Sequence, residues 1–247
     1  MMPTAVERKA LSEALGHLNE NMRTMSELAV LAIRKAAQSL DKGHRRDSEE
    51  VFTLDQEIYG LKQKVEQSCI ELIALYAPVA SDLRTITASL EITTDLDRIG
   101  RYSRDIAEAA EKLRGMSRES LGKIGNLTRM ADMTIQMIET SVNAFTQRQA
   151  DPVRDIVRTD DAIDALHDEV FQELVEKMTD QSVSPRVGAQ YILINRYFER
   201  LADHAVNIGL DVIYMITAQR PAKVKRQNGD ARPPSTPAPP PPAPSSA

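Results

Sequence analysis

The chain has 247 residues, of which 42% are hydrophobic and 27% are charged, a composition typical of a soluble folded protein of one or two domains. Its formal net charge of −5 argues against a protein that coats nucleic acid, because phosphate binding needs a basic face. Aromatic residues make up only 4% and there are only 10 glycines, so Leu, Ile, Ala and Met fill the apolar positions and favour an all-α fold of packed helices.

The features that bear on cellular location favour the cytoplasm. The single cysteine, Cys69, cannot form an internal disulfide, which fits a reducing compartment, and its apolar neighbours predict a buried thiol. The first ten residues, MMPTAVERKA, are charged and lack the apolar stretch of a secretory signal. The longest apolar runs, such as LIALYAPVA at 72–80, are far shorter than the roughly 20 residues that a membrane-spanning helix needs. Any contact with a membrane is therefore expected to be through a partner.

Three long helices are predicted in the first half of the chain. In the first, at about 5–40, apolar residues recur at spacings of three and four, which is the stripe of an amphipathic helix. The second runs from about 47 to 76 and is stopped by the proline that follows it, because proline disfavours helical backbone in the residue before it. The third, at about 81–114, begins where Ser81 or Asp82 can cap free backbone N–H groups.

Three further helices are predicted in the second half, after a connection at 115–126 that holds three of the ten glycines. Pro152 favours the start of the fifth helix, because proline at a first helical position lacks an N–H that would have no partner there. Ser182 or Ser184, followed by Pro185, favours the start of the sixth. The predicted spans are about 127–149, 152–179 and 185–219.

The last part of the chain, 221–247, has a different composition. Eight of its last fifteen residues are proline, and it has almost no apolar bulk. Such a segment cannot bury enough surface to offset the entropy of folding, so a disordered tail with extended polyproline character is predicted.

The two halves of the folded part resemble each other, which predicts an internal duplication. DRIGR at 97–101 aligns with ERLAD at 199–203 at an offset of 102, and the second helix aligns with the fifth at an offset of 105, which places Asp55 on Asp160. Short connections imply antiparallel neighbours. We therefore expect two tandem three-helix bundles and a tail, divided at 1–115, 116–220 and 221–247.

A row of oxygen-bearing side chains lies beside the apolar stripe of the sixth helix. Glu199, Asp203 and Asn207 recur every fourth residue in NRYFERLADHAVNI, so they are neighbours on one face, and the two acids repel each other. Nearby arginines, such as Arg196 and Arg200 on another face, would offset that repulsion, and so would a metal ion. Oxygen ligands suit hard or borderline cations such as Mg, Mn, Fe or Zn. Spacing alone leaves both a metal site and a salt-bridged row open.

The matching row of the third helix is Asp97, Arg101 and Asp105. Arg101 places a cation where the second copy has an acid, so this row already contains an ion-pair partner. We expect it to bind metal less well than the row of the sixth helix.

Several of these stretches resemble the PhoU family of regulators of phosphate uptake. The similar words are APVASDLRTI, DLDRIG and YFERLADHAVNI, and the likeness spans about 4–219. It implies two tandem three-helix bundles with an E(D)xxxD motif in each, and metal ions at those motifs in several members. Glu199 and Asp203 keep the second motif intact, whereas the first has Asp97 but departs from the pattern at Arg101.

The resemblance also implies a function. Family members are described as non-enzymatic negative regulators that couple a phosphate ABC transporter, with its PstB-type ATPase, to a PhoR-type sensor histidine kinase. They keep the phosphate-starvation response off when phosphate is ample. The resemblance further implies a homodimer in the cytoplasm, peripheral to the inner face of the cell membrane through its partners. A divalent or trivalent metal ion (Fe, Zn, Mn or Mg) would be the cofactor, with Glu199, Asp203, Asn207, Asp97 and Asp105 as the candidate ligands.

Two alternatives of other classes stay open at this point. One is a metal-free helical scaffold, which metal analysis would distinguish from a metal-bearing regulator. The other is a carboxylate-bridged metal oxidase, which needs two Glu-x-x-His pairs; Asp164 to His167 is the single near match in the sequence. A nucleotide-binding enzyme is not favoured, because no GxGxxG or Walker-type loop occurs. His204, next to Asp203, is a candidate pH-sensitive partner.

Overall fold

The computed structural model describes residues 5–42, 45–114, 116 and 125–221. Within those ranges the secondary structure is helical and no strand occurs, which confirms the all-α prediction. The predicted tail at 222–247 and most of the predicted connection at 115–126 lie outside the described residues. The helices are α1 (Ala5–Lys42), α2 (Arg45–Tyr76), α3 (Ala80–Arg114), α4 (Gly125–Gln147), α5 (Val153–Thr179) and α6 (Pro185–Thr217).

The helix ends agree with the predicted ones to within two residues. α3 begins at Ala80, so the predicted caps Ser81 and Asp82 lie inside its first turn. The cap of α6 is Ser184, whose side chain accepts a hydrogen bond from the Val187 N–H at 3.4 Å. At the other end of α6, Ala218 adopts left-handed backbone and its N–H donates to the Tyr214 carbonyl at 2.9 Å.

Each half of the chain forms an up-down-up bundle of three helices. In the first half, Lys35 near the end of α1 lies 2.7 Å from Glu50 near the start of α2, as antiparallel neighbours require. Thr93 of α3 donates to the Met22 sulfur of α1 at 3.1 Å, which places α1 and α3 side by side. In the second half, the His167 carbonyl of α5 accepts from the Asn195 amide of α6 at 2.9 Å. The predicted pair of three-helix bundles is thus confirmed.

The core consists of long apolar stripes, as the spacing predicts. The stripe of α1 is fully buried at Leu18, Met22, Met25, Ala29, Ala32 and Ala36. Cys69 is also fully buried, and burial raises the pKa of its thiol to about 12, so it is a core thiol as predicted. Helices approach closely where a residue is small: a Cβ built on Gly209 of α6 would lie 2.8 Å from Cγ1 of Val153 on α5.

The two bundles are joined mainly through α3 and α6. These helices are antiparallel, because Asp95 pairs with His204 while Tyr102, seven residues later on α3, stacks against Tyr197, seven residues earlier on α6. Further contacts between the bundles are an ion pair of Arg34 with Glu139 and a 3.4 Å hydrogen bond from Arg148 to the Thr85 hydroxyl. The α2–α3 connection and the end of α6 therefore lie at the same end of the molecule.

Candidate functional site

The second motif, Glu199 and Asp203 on α6, is held by arginines of the same helix. Glu199 is only 3% exposed, and its Oε2 lies 2.9 Å from Nη1 of Arg196 and 3.9 Å from Nε of Arg200. Arg200 also lies 3.5 Å from Asp203, so one guanidinium serves both acids. The arginines thus offset the repulsion between the two carboxylates.

Asn207, the third member of the predicted row, faces α3 instead. Its amide donates to Oδ1 of Asp95 at 3.4 Å, and Nδ1 of His204 lies 2.7 Å from the same oxygen. The ring of Tyr102 packs against the ring of His204 at a tilt of 31°, with the ring centroids 5.7 Å apart. These residues form a polar contact between the bundles, which we call the α3–α6 clasp: Asp95, Tyr102, Tyr197, His204 and Asn207.

The first motif has a different set of partners. Asp97 is 2% exposed, and its Oδ2 lies 3.2 Å from Nζ of Lys62 on α2 and 3.2 Å from Nε of Arg101. The predicted ion pair between Asp97 and Arg101 is therefore confirmed, and Lys62 is a second cation that the sequence analysis did not identify. Oδ1 of Asp97 is buried and has no hydrogen-bond partner within the described part of the chain.

Two further carboxylates of the first bundle lie next to Arg104. Its guanidinium lies 3.2 Å from Asp55 of α2 and 3.4 Å from Asp105, the last predicted ligand. Burial raises the pKa of the Asp55 carboxyl, although Arg104 and Arg101 act in the opposite direction. Burial also raises the pKa of Asp105, again against the effect of Arg104. Both acids are thus partly desolvated and depend on the same cation.

The five predicted metal ligands are distributed over separate places. Glu199 and Asp203 share Arg200, whereas Asn207 contacts Asp95. In the other bundle, Asp97 and Asp105 have different cationic partners. Among the residues with described side chains, no three His, Cys, Asp or Glu side chains are grouped so that they could hold a metal ion. The residues as arranged do not fit a metal centre, and metal binding at them stays a prediction.

Exposed apolar side chains lie around the α2–α3 connection, from the last two turns of α2 to the first turn of α3, and we call this surface the apolar end. Its most exposed members are Leu75 at 73% and Val79 at 72%. The equivalent α5–α6 connection has exposed polar residues, and its Val183 is fully buried. Only one of the two bundles therefore presents this surface. The members of the apolar end are Ile70, Ile73, Leu75, Val79 and Leu83.

Comparison with known proteins gives one family. The model of the PhoU domain matches twice, at residues 22–110 and 127–212.

No helix in the described ranges has a stretch apolar enough to cross a lipid bilayer.

Two similar curated proteins are both described as accessory proteins of the phosphate-specific transport system. The chain is 29% identical over 214 residues to the phosphate-specific transport system accessory protein PhoU homolog of Clostridium acetobutylicum, covering 86% of this chain and 97% of that protein. It is 30% identical over 220 residues to PhoU homolog 1 of Mycobacterium tuberculosis, covering 88% and 96%.

Solved structures are similar over almost their whole length. The crystal structure of PhoU from Pseudomonas aeruginosa superposes with a TM-score of 0.81 at 24% identity, covering 84% of this chain and 99% of that one. The phosphate transport system regulatory protein PhoU from Streptococcus pneumoniae superposes with a TM-score of 0.78 at 26% identity, covering 86% and 100%.

Proposed function

The chain belongs to the PhoU family, and we propose that it is a non-enzymatic accessory regulator of phosphate uptake. The observation that carries the proposal is the match of both bundles to the family domain, together with relatives named as accessory proteins of the phosphate-specific transport system. In this role it restrains uptake and the phosphate-starvation response when phosphate is ample.

The surface chemistry supports binding rather than catalysis as the task of this protein. The acids of both motifs are paired with Lys or Arg, so none of them is arranged as a general base. The apolar end, in contrast, exposes several large side chains around the α2–α3 connection. Exposed apolar patches of this kind mark interaction sites.

The proposed occupant of the apolar end is the PstB-type ATPase of the phosphate ABC transporter. A transporter ATPase lies at the inner face of the membrane, so binding to it gives this protein a cytoplasmic location, peripheral to the membrane through its partner. Leu75 and Val79 supply the apolar area that such docking buries. A PhoR-type sensor kinase is the second proposed partner, and a homodimer the proposed assembly.

Metal binding at the second motif is a separable part of the proposal. A cation at Glu199 and Asp203, with Asn207 one turn further, requires Arg196 and Arg200 to move away from the acids, because the guanidiniums contact the oxygens that a metal needs. The same contacts favour the alternative of a metal-free helical scaffold. The choice between them leaves docking at the apolar end unaffected.

An affinity pull-down from the native lysate, with phosphate present or withheld, tests the proposal. Wild-type protein should recover a phosphate-transporter ATPase or a sensor kinase. The variant Leu75→Glu/Val79→Glu should lose the ATPase, because charge opposes burial of the apolar end. A matched control, Leu193→Glu, changes another exposed leucine (43% exposed) on α6 and should keep it. Recovery of neither partner by folded wild-type protein contradicts the proposal.

A further inference from the structure

The α2–α3 seam, meaning the packed contact between these two helices, contains three buried or partly buried acids, each paired with a cation. Lys62 and Arg101 both contact Asp97, and Arg104 bridges the other two acids. Lys62 also lies 4.0 Å from Glu66, and Arg104 lies 3.5 Å from Glu108. The acids are Asp55, Asp97 and Asp105, and the cations are Lys62, Arg101 and Arg104.

The equivalent positions of the second bundle have lost every one of these cations. At the offset of 105 for α5, Lys62 becomes His167, and at the offset of 102 for α6, Arg101 becomes Asp203 and Arg104 becomes Val206. Of the acids, Asp55 and Asp97 align with Asp160 and Glu199, whereas Asp105 aligns with Asn207. The same framework thus carries two different charge patterns, and Arg101 is the position where a cation replaces an acid.

The buried position of Asp97 makes the cations of the α2–α3 seam necessary. Asp97 is almost entirely removed from water, and a buried carboxylate needs a partner of opposite charge. Lys62 from α2 and Arg101 from α3 supply that charge from two directions at 3.2 Å each. A divalent cation placed on Asp97 would meet two like charges at close range, and it would find the two other acids of the seam on Arg104.

We propose that Lys62, Arg101 and Arg104 take the place of a metal ion in the first bundle, so that the α2–α3 seam is closed by the chain's own cations. The first motif is then a metal-independent structural element. This property does not depend on which partner the protein binds.

Metal loading of a variant that keeps only the first motif tests this inference. Glu199→Gln/Asp203→Asn removes both acids of the second motif and leaves Asp97 in place. After loading with excess Mn²⁺, Fe²⁺ or Zn²⁺ and gel filtration, we expect less than about 0.1 metal ion per chain by elemental analysis. We also expect the Tm of this variant to be the same with the chelator EDTA as with added metal ion. A stoichiometric metal ion, or a metal-dependent Tm that Asp97→Asn abolishes, overturns the inference.

A second variant covers the case in which that double variant does not fold. Asp97→Asn in the otherwise unchanged protein should bind as much metal as wild type, including none if wild type binds none. Loss of bound metal from Asp97→Asn would assign the metal to the first motif and overturn the inference. Neither readout depends on transporter binding, so failure here leaves the proposed function standing, and failure of the pull-down leaves this inference standing.

Discussion

Nδ1 of His204 lies 2.7 Å from Oδ1 of Asp95, and this contact joins the sixth helix to the third. Both side chains are largely buried, and Asn207 donates to the same carboxylate oxygen. The contact stands at the centre of the α3–α6 clasp, flanked by the rings of Tyr102 and Tyr197. It is one of the polar contacts between the two bundles, together with Arg34–Glu139 and Arg148–Thr85.

Removing one side of the clasp should loosen that interface. His204→Ala leaves the Asp95 carboxylate with Asn207 as its remaining clasp partner, and we expect the free energy of unfolding to fall by about 1–3 kcal/mol, as for other buried hydrogen-bonded groups that lose a partner. Urea unfolding measures the change. His17→Ala, at an exposed histidine of α1, is the control. A double-mutant cycle with Asp95→Ala should give a coupling energy of about 0.5–3 kcal/mol; additive effects would refute the direct contact.

Lys62 should matter far more than its neighbour Lys64. Lys62→Met leaves Asp97 with Arg101 as its remaining ion-pair partner, and we expect a loss of about 1–3 kcal/mol in unfolding free energy because the carboxylate is buried. Lys64→Met changes an exposed lysine on the same helix and should alter stability by less than about 0.5 kcal/mol. Equal effects of the two substitutions would show that Lys62 does not support Asp97.

Two glycines on helices should respond in opposite directions to the same change. Gly60→Ala meets nothing within 4 Å, so it should stabilise the protein by up to about 1 kcal/mol through helix propensity. Gly209→Ala places a Cβ 2.8 Å from Val153, and overpacking of about 1–3 kcal/mol should outweigh that gain.

The Val153→Ala background tests the stated cause of the Gly209 effect. With the Val153 methyl groups removed, the close contact disappears and Gly209→Ala should become stabilising. Thermal unfolding of the single and double variants measures this. If Gly209→Ala lowers the Tm equally in both backgrounds, contact with Val153 is not the reason.

The stability of the first bundle should depend on the ionisation of Asp55. Burial raises its pKa above the ordinary 3.8, so the folded protein holds this proton more tightly than the unfolded chain does. The contribution of Asp55 to stability is full below the ordinary value and is lost as the pH rises through the folded-state pKa. Asp55→Asn cannot ionise, so its free energy of unfolding should rise relative to wild type between acidic and neutral pH. Urea titrations across that range would show the opposite trend if ionised Asp55 were net stabilising.

The fold was predictable because the apolar residues of each segment recur at the intervals of an α-helix. Leu18, Met22 and Met25 recur at helical intervals and are fully buried, and the duplicated DRIGR and ERLAD segments identified the paired bundles. Helix ends were less certain: α3 begins at Ala80, one residue before the nearer predicted cap, and Ala80 has a left-handed φ of 50°. A capping residue type permits a start at a position without fixing it there.

The partners of the candidate site could not be read from one helix alone. The row Glu199, Asp203 and Asn207 was visible in the sequence, but its contacts depend on how α6 packs against α3. Asp95 and Tyr102 on α3, and Tyr197 and His204 on α6, are each seven residues apart, which is the spacing of one face over two turns. That spacing is the signal in the sequence that points to the two pairs Asp95–His204 and Tyr102–Tyr197. Lys62 had no such signal, because its role depends on the register of α2 against α3.

The most direct test of the account is phosphate uptake, together with phosphate-starvation transcription, in cells that lack this protein and grow in ample phosphate. We predict that both are high without the protein and are restored to low levels by wild type and by Leu193→Glu. We predict that Leu75→Glu/Val79→Glu, expressed at the same level, leaves them high. If removal of the protein leaves uptake and starvation transcription at their repressed levels, the proposed regulatory function is wrong.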